Sequence, residues 1–240
     1  MTKSTKSTKW AMVPARGGSK SIPKKNLVPL GGRAMLDYGV RAALASGCFA
    51  RIFCSTDDQE IAARAQALGI EVDWRPAELA SDEAAVADVA REFLARQAQM
   101  PDILALIQPT SPFLLPEHVS ELMARMDADP EANSGQTVCP VIHNYHAWNQ
   151  RIVEAGRVRF KFAEERRTAF NKQRKPKLYT FGNLVAARPR ALMAGADFFA
   201  EPSVAVEIAA PYNLDVDTLS DLRLAELLLQ GGVAHLPDFN

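Results

Sequence analysis

Net charge is what this chain lacks: 28 Lys and Arg balance 28 Asp and Glu over 240 residues. That removes the broad basic field on which nucleic-acid binders rely, so any anionic ligand must be gripped by a local cluster of cations. Cysteine is scarce. Cys48, Cys54 and Cys139 are odd in number and have no metal-type spacing, which argues against a disulfide framework or a zinc site and fits a reduced, cytoplasmic setting. No apolar run approaches the length of a membrane span. Neither a membrane nor a nucleic acid is therefore expected as a partner. The opening Met1 to Lys9, MTKSTKSTK, has no apolar stretch of the signal-peptide kind and is expected to be a disordered tail without function.

What the chain does have is apolar content, 48% of its residues, enough for one sizeable core with an appended arm. Up to about residue 140, short apolar runs alternate with amphipathic helical patterns. Strands are expected at Trp10–Ala15, Arg51–Ser55, Ile70–Trp74 and Ile103–Ile107, the last apolar on both faces as a buried parallel strand should be. Helices are expected at Met35–Ser46, closed by Gly47, after a capping pair Thr56/Gln59, over Glu83–Gln97, and from Pro116 onward. This alternation predicts an α/β protein with a doubly wound, mostly parallel sheet. From Pro140 to Lys177 the helical period lapses, and aromatic, amide and basic residues accumulate. Residues 140–182 are accordingly expected to form an inserted arm within a single domain spanning 10–240. Strand pattern returns at Asn183–Ala187 and Val204–Ala209, and a last helix at Leu219–Gln230 has Thr218 and Asp221 as its capping pair.

The string Val13 to Asn26, VPARGGSKSIPKKN, follows the first strand directly. Gly17 and Gly18 let successive backbone N–H groups face one anion, and Arg16, Lys20, Lys24 and Lys25 can neutralise a polyphosphate. It is neither a Walker loop nor a dinucleotide fingerprint. Near the other end, Asp215 and Asp217 are separated by one residue. On an extended strand they point to the same side and could share a magnesium ion completed by phosphate oxygens and water. Asp217 could instead cap the last helix, but Thr218 with Asp221 can do so and leaves it free. His143 and His146 lack a third ligand, so packing accounts for them better than zinc.

The phosphate loop resembles that of the acylneuraminate cytidylyltransferases, also called CMP-sialic acid synthetases. The resemblance extends through Ser55-Thr56-Asp57, RPAELASD at Arg75–Asp82, QPTSP at Gln108–Pro112 and DVDT at Asp215–Thr218. It implies a Rossmann-like nucleotidyltransferase sheet whose arm makes a homodimer. By position, Arg16, Gly17, Gly18, Ser19, Lys20, Lys25, Asn26, Arg75 and Ala84 are expected to bind the nucleotide, and Asp215 and Asp217 the magnesium. Arg16, Lys25, Asp215 and Asp217 are the implied catalytic group. Gln108, Lys172, Arg174, Phe198 and Phe199 are expected to contact the sugar. The sugar half departs from the family: Lys172, Thr180, Gly182 and Ala186 stand where an arginine, a second cation, an asparagine and a tyrosine are common. Gly182 and Ala186 are expected to enlarge one wall of the sugar site. The implied activity is Mg-dependent transfer of CMP from CTP to the anomeric 2-hydroxyl of an acidic 2-keto-3-deoxy (nonulosonic) sugar, with release of pyrophosphate. The alternatives are a cytidylyltransferase for 3-deoxy-octulosonate or another sugar acid, and a nucleotide-binding dimer without catalysis.

Overall fold

A computed structural model describes residues 7–81, 83–168 and 174–237. Seven strands form the central sheet: β1 (Lys9–Pro14), β4 (Arg51–Thr56), β5 (Glu71–Trp74), β6 (Ile103–Leu106), β7 (Ser134–Pro140), β10 (Tyr179–Ala187) and β11 (Ser203–Glu207). The short pair β2 (Pro29–Leu30) and β3 (Arg33–Ala34), and the hairpin β8 (Arg151–Glu154) and β9 (Arg157–Phe160), lie outside it. The order across the sheet is β11-β7-β10-β6-β1-β4-β5. Within this sheet β10 alone runs antiparallel to its neighbours. This is the doubly wound, mostly parallel sheet that the alternating pattern predicts.

Period-two alternation sends successive strand residues to opposite faces. Ala11 and Val13 of β1 meet α1 (Met35–Ala45), α2 (Gln59–Ala67) and α4 (Pro116–Ala128), while Trp10 and Met12 meet α3 (Val86–Ala95) and α6 (Pro189–Met193). On the second face Trp10, Phe53 and Phe93 form a cluster of tilted and edge-on rings, the arrangement that ring quadrupoles favour. A third cluster beneath α7 (Leu219–Gln230) joins Leu222 and Ala225 to Ile22, Leu30 and Met35, so the last helix packs against the segment that follows the phosphate loop.

Several expected boundaries move for local reasons. Helix α2 is capped by Asp58, whose carboxylate accepts from the N–H groups of Glu60 and Ile61, while Thr56 accepts from the Asp58 N–H. A carboxylate at the N-cap satisfies two orphan donors and displaces the expected Thr56/Gln59 pair. At α7 the Thr218–Asp221 capping box forms as expected, and the helix buries Leu222 and Ala225 while Leu219 is exposed. Of the nine-residue opening, residues 1–6 lie outside the described residues. Lys9 is a buried residue of β1 paired with Asp127, so the expected tail does not extend that far.

The arm also needs correction. Tyr179–Phe181 pairs with Val138–Pro140 in the central sheet, so 179–182 belongs to β10. The remainder holds regular structure that its composition conceals: hairpin β8–β9 and α5 (Ala163–Thr168). A two-stranded hairpin cannot cover its own side chains, and Val153 and Val158 stand exposed on it.

Candidate active site

The parallel strands all deliver their C-terminal ends to one edge of the sheet, where ligands bind in folds of this kind. Beyond β1 lies the phosphate loop, beyond β4 Asp57, beyond β5 Arg75, beyond β6 Gln108, and beyond β11 the loop that carries Asp215 and Asp217. A cleft of about 370 Å³ opens there, lined by Pro14, Arg16, Gly18, Ser19, Lys20, Ser21, Lys25, Asn26, Gln108, Pro109 and Thr110. Seven of the predicted ligand residues, Arg16, Gly18, Ser19, Lys20, Lys25, Asn26 and Gln108, thus meet around one space.

The loop's shape follows from its residues. The Gly17 N–H donates to Asp57 Oδ1 at 2.8 Å. A Cβ on Gly17 would lie 2.7 Å from Asp58 Oδ2, so the loop can approach the start of α2 this closely only as glycine. Asn26 is buried, and its Nδ2 donates to the Arg16 carbonyl at 2.9 Å, which clasps one end of the loop to the other. Lys24 takes a left-handed conformation with φ 50° and pairs with Glu60 on α2. The basic quartet of the sequence is therefore divided. Arg16, Lys20 and Lys25 line the cleft, while Lys24 fixes the turn.

Lys25 Nζ bonds Asp217 Oδ1 at 2.9 Å, which ties the terminal acidic pair to the phosphate loop. Asp215 and Asp217 lie in an irregular segment after β11 rather than at a strand end. The intended alternation nevertheless holds, because Val216 between them is buried and its N–H donates to the Thr110 carbonyl at 2.7 Å. Asp215 keeps solvent contact, yet the atoms packed against its carboxyl raise its pKa; the Thr110 hydrogen bond opposes this, Asp217 adds to it and Lys25 opposes it. Two hard oxygen donors that repel one another suit a divalent cation. Among the described residues no group of three or more His, Cys, Asp or Glu side chains is gathered around a point, so a cation at this pair would need further oxygens from elsewhere.

The Arg75 guanidinium donates to the Ser55 carbonyl at 3.0 Å, and burial lowers its pKa against the pull of Asp57. Arg16 also acts on it electrostatically, which places Arg75 beside the loop but outside the cleft lining. Ala84 is half-buried in the segment before α3, and Arg174 is exposed. Neither lines the cleft, and Lys172 lies outside the described residues. Phe198 is buried in the second-face cluster and offers a ligand no surface. Phe199 is exposed and meets Phe181 edge-on at 5.8 Å.

The expected enlargement of the sugar wall does not occur. A Cβ on Gly182 would lie 2.5 Å from Thr137 Oγ1, and Ala186 is fully buried in the main core. Both small residues are filled in by neighbours. His146 is likewise structural: its Nδ1 accepts from the Trp148 N–H and its Nε2 meets the Pro176 carbonyl. Sequence reasoning missed Asp57 and Thr110 as supports of the site. Both sit in quoted motifs, STD and QPTSP, but their partners are 40 and more than 100 positions away.

Fold and cleft together define a doubly wound α/β protein with a basic, glycine-containing loop at the ligand-binding edge of its sheet. The family described as cytidylyltransferase matches residues 10–185. A CMP-N,N'-diacetyllegionaminic acid synthase from Legionella pneumophila is 30% identical over 228 residues, 92% of this chain and 95% of that protein. N-acylneuraminate cytidylyltransferase A from Danio rerio is 42% identical over 111 residues, 46% of this chain but only 26% of that longer protein. The structure of CMP:2-keto-3-deoxy-manno-octonic acid synthetase complexed with CTP shares the fold, with TM-score 0.72 and 19% identity over 94% of this chain and all of that one. This chain belongs to the cytidylyltransferase family, alongside the acylneuraminate and legionaminate enzymes.

Proposed function

We propose that this protein transfers CMP from CTP to the anomeric 2-hydroxyl of an acidic 2-keto-3-deoxy nonulosonic sugar, releasing pyrophosphate. The observation that carries the reading is the cleft that Arg16, Lys20 and Lys25 line together with Gln108, with Asp217 bonded to Lys25. Three cations within one small cleft suit a triphosphate, and Gln108 in the same lining can hydrogen-bond a sugar. In this reading Arg16, Lys20 and Lys25 bind the phosphates and neutralise charge as the bond to pyrophosphate breaks. Gly17 and Gly18 let the backbone approach, and Asn26 holds the loop closed around the ligand. Positioning and electrostatics then supply most of the acceleration, as in other phosphoryl transfers. Asp215 and Asp217 would hold magnesium, which when bound supplies further charge neutralisation for the leaving group.

Nonulosonic acids are favoured as acceptors by the likeness to the legionaminate enzyme over nearly its whole length, and the altered positions Lys172 and Thr180 favour one other than plain N-acetylneuraminate. The exposed Val153 and Val158 of the hairpin support a homodimer through the arm. Free Cys48, Cys54 and Cys139 suit a reducing cytoplasm, and among the described residues no helix is long and apolar enough to cross a membrane. The test is pyrophosphate release with each of CTP, ATP, GTP and UTP against N-acetylneuraminate, its deaminated analogue, 3-deoxy-octulosonate and the diacetamido nonulosonates. Turnover should be confined to CTP and greatest with a nonulosonate. Equal turnover with a purine triphosphate would refute the cytidine assignment, and preference for the octulosonate would refute the acceptor.

A further inference from the structure

The register of β10 against β7 breaks between Phe181 and Val185. The two N–H groups at the break, those of Asn183 and Leu184, both donate to Thr137 Oγ1, at 2.8 and 2.9 Å. Gly182 is what lets the strand close onto that hydroxyl. The bulge therefore has a built partner, and it turns the side chain of Asn183 into the interior, where the residue is fully buried.

There the carboxamide is satisfied on both sides. Its Oδ1 faces the Thr137 hydroxyl at 3.1 Å. Its Nδ2 faces the Tyr212 carbonyl at 2.9 Å, His118 Nδ1 at 3.0 Å and the Phe113 carbonyl at 3.5 Å. Carbonyls only accept, so the orientation of the amide is determined. His118 Nδ1 then meets a donor from Asn183 and a second one from the Leu115 N–H at 3.3 Å. A ring nitrogen between two donors carries no hydrogen, so the imidazole is neutral with its proton on Nε2.

The elements joined in this way carry the cleft. Phe113 ends the turn that begins at Gln108 and Thr110, and Tyr212 opens the segment that reaches Asp215 and Asp217. Those segments meet once more where Val216 donates to Thr110. The geometry points to Asn183 as a positioning residue: with His118 as an obligate Nδ1 acceptor, its buried carboxamide locks the Gln108 loop to the Asp215–Asp217 loop, setting acceptor and cation sites in register. The inference rests on the proposed reading of those two loops. Neither Asn183 nor His118 bonds the phosphate loop, which meets these loops through the Lys25–Asp217 pair, so the loss should fall on the rate of transfer far more than on nucleotide binding.

The experiment compares Asn183→Leu, His118→Leu and His118→Asn with the native chain. Asparagine can place its Oδ1 where imidazole has Nδ1 and so keeps the acceptor. Asn183→Leu and His118→Leu should lower kcat roughly tenfold to a hundredfold, the scale for reacting groups displaced by about an ångström, while the KM and calorimetric Kd for CTP stay within about threefold. His118→Asn should restore kcat to within about threefold of native. Unchanged kcat in both leucine variants would overturn the inference, as would parallel loss of CTP affinity or a His118→Asn enzyme as slow as His118→Leu. Should Asn183→Leu not fold, the two His118 variants decide. If the native chain turns over no sugar acid, the functional reading fails separately, and nitrogen-15 NMR of His118 still tests the network: an Nδ1–H tautomer in the native chain would overturn it.

Discussion

Asp215 and Asp217 share a loop but not an environment. Asp215 is exposed, yet atoms packed against its carboxyl raise its folded pKa above the ordinary 3.8, so the folded chain binds more protons there than the unfolded one as pH rises through that interval. The contribution of this group to stability is therefore full below pH 3.8 and is lost as pH climbs through the folded pKa. At neutral pH the ionised carboxylate is a cost to the fold. Asp215→Asn should accordingly leave Tm unchanged or higher while kcat collapses, and thermal unfolding beside steady-state kinetics checks both halves. A lower Tm with normal kcat would make it a structural residue. Arg16→Ala and Lys25→Ala should each cost about 2–4 kcal/mol in kcat/KM for CTP, the scale of a lost charged donor in a preorganised site; near-native kinetics in both would reduce the loop to a basic surface turn. At this scale the string VPARGGSKSIPKKN was legible in the sequence because adjacent residues supply its chemistry. The diversion of Lys24 to Glu60 was not, because its partner lies 36 positions away.

Among the elements, β10 is the least replaceable. Alanine at Gly182 would drive a Cβ into the Thr137 side chain, and overpacking of this kind costs about 1–3 kcal/mol; chemical denaturation should register that loss, and an unchanged midpoint would show that the bulge has slack. The hairpin β8–β9 offers the opposite case. Its removal by a short turn should leave CTP binding intact and convert a dimer to a monomer in light scattering, whereas a native chain that is fully active as a monomer would dismiss the arm's proposed role. Most strands and helices of the first 140 residues were legible because each carries its own period, and Pro116 and Thr218 mark helix starts by local chemistry alone; β7, SGQTVCP at Ser134–Pro140, was not, because few of its residues are apolar although the strand is largely buried. The arm was opaque because β8 and β9 are four residues each and largely exposed, so burial imprints no alternation on them. The role of Gly182 and Ala186 was misjudged for a related reason: a small residue reads as an opening until the neighbour that fills it is known.

For the molecule as a whole, acid should act through His118. Burial holds its pKa below the ordinary 6.5, with Glu117 and Glu121 opposing, while Asn183, the Leu115 N–H and the Tyr212 ring face the imidazole. The folded chain thus binds fewer protons at this site than the unfolded one. Its stabilising share is complete above pH 6.5 and is lost as pH falls through the folded pKa. The slope of stability against pH below 6.5 should be shallower in His118→Asn than in the native chain, and identical slopes would mean that other groups govern it. A different consequence follows from the bond between Lys25 and Asp217, whose partners lie 192 positions apart. Contacts of such separation form late in folding. The loop from Val13 to Asn26 is translated long before the acidic pair at Asp215 and Asp217. Because the last helix also covers Ile22, Leu30 and Met35 behind that loop, the loop and the acidic pair reach their working geometry in one event, and neither is set before the segment around Asp217 has docked.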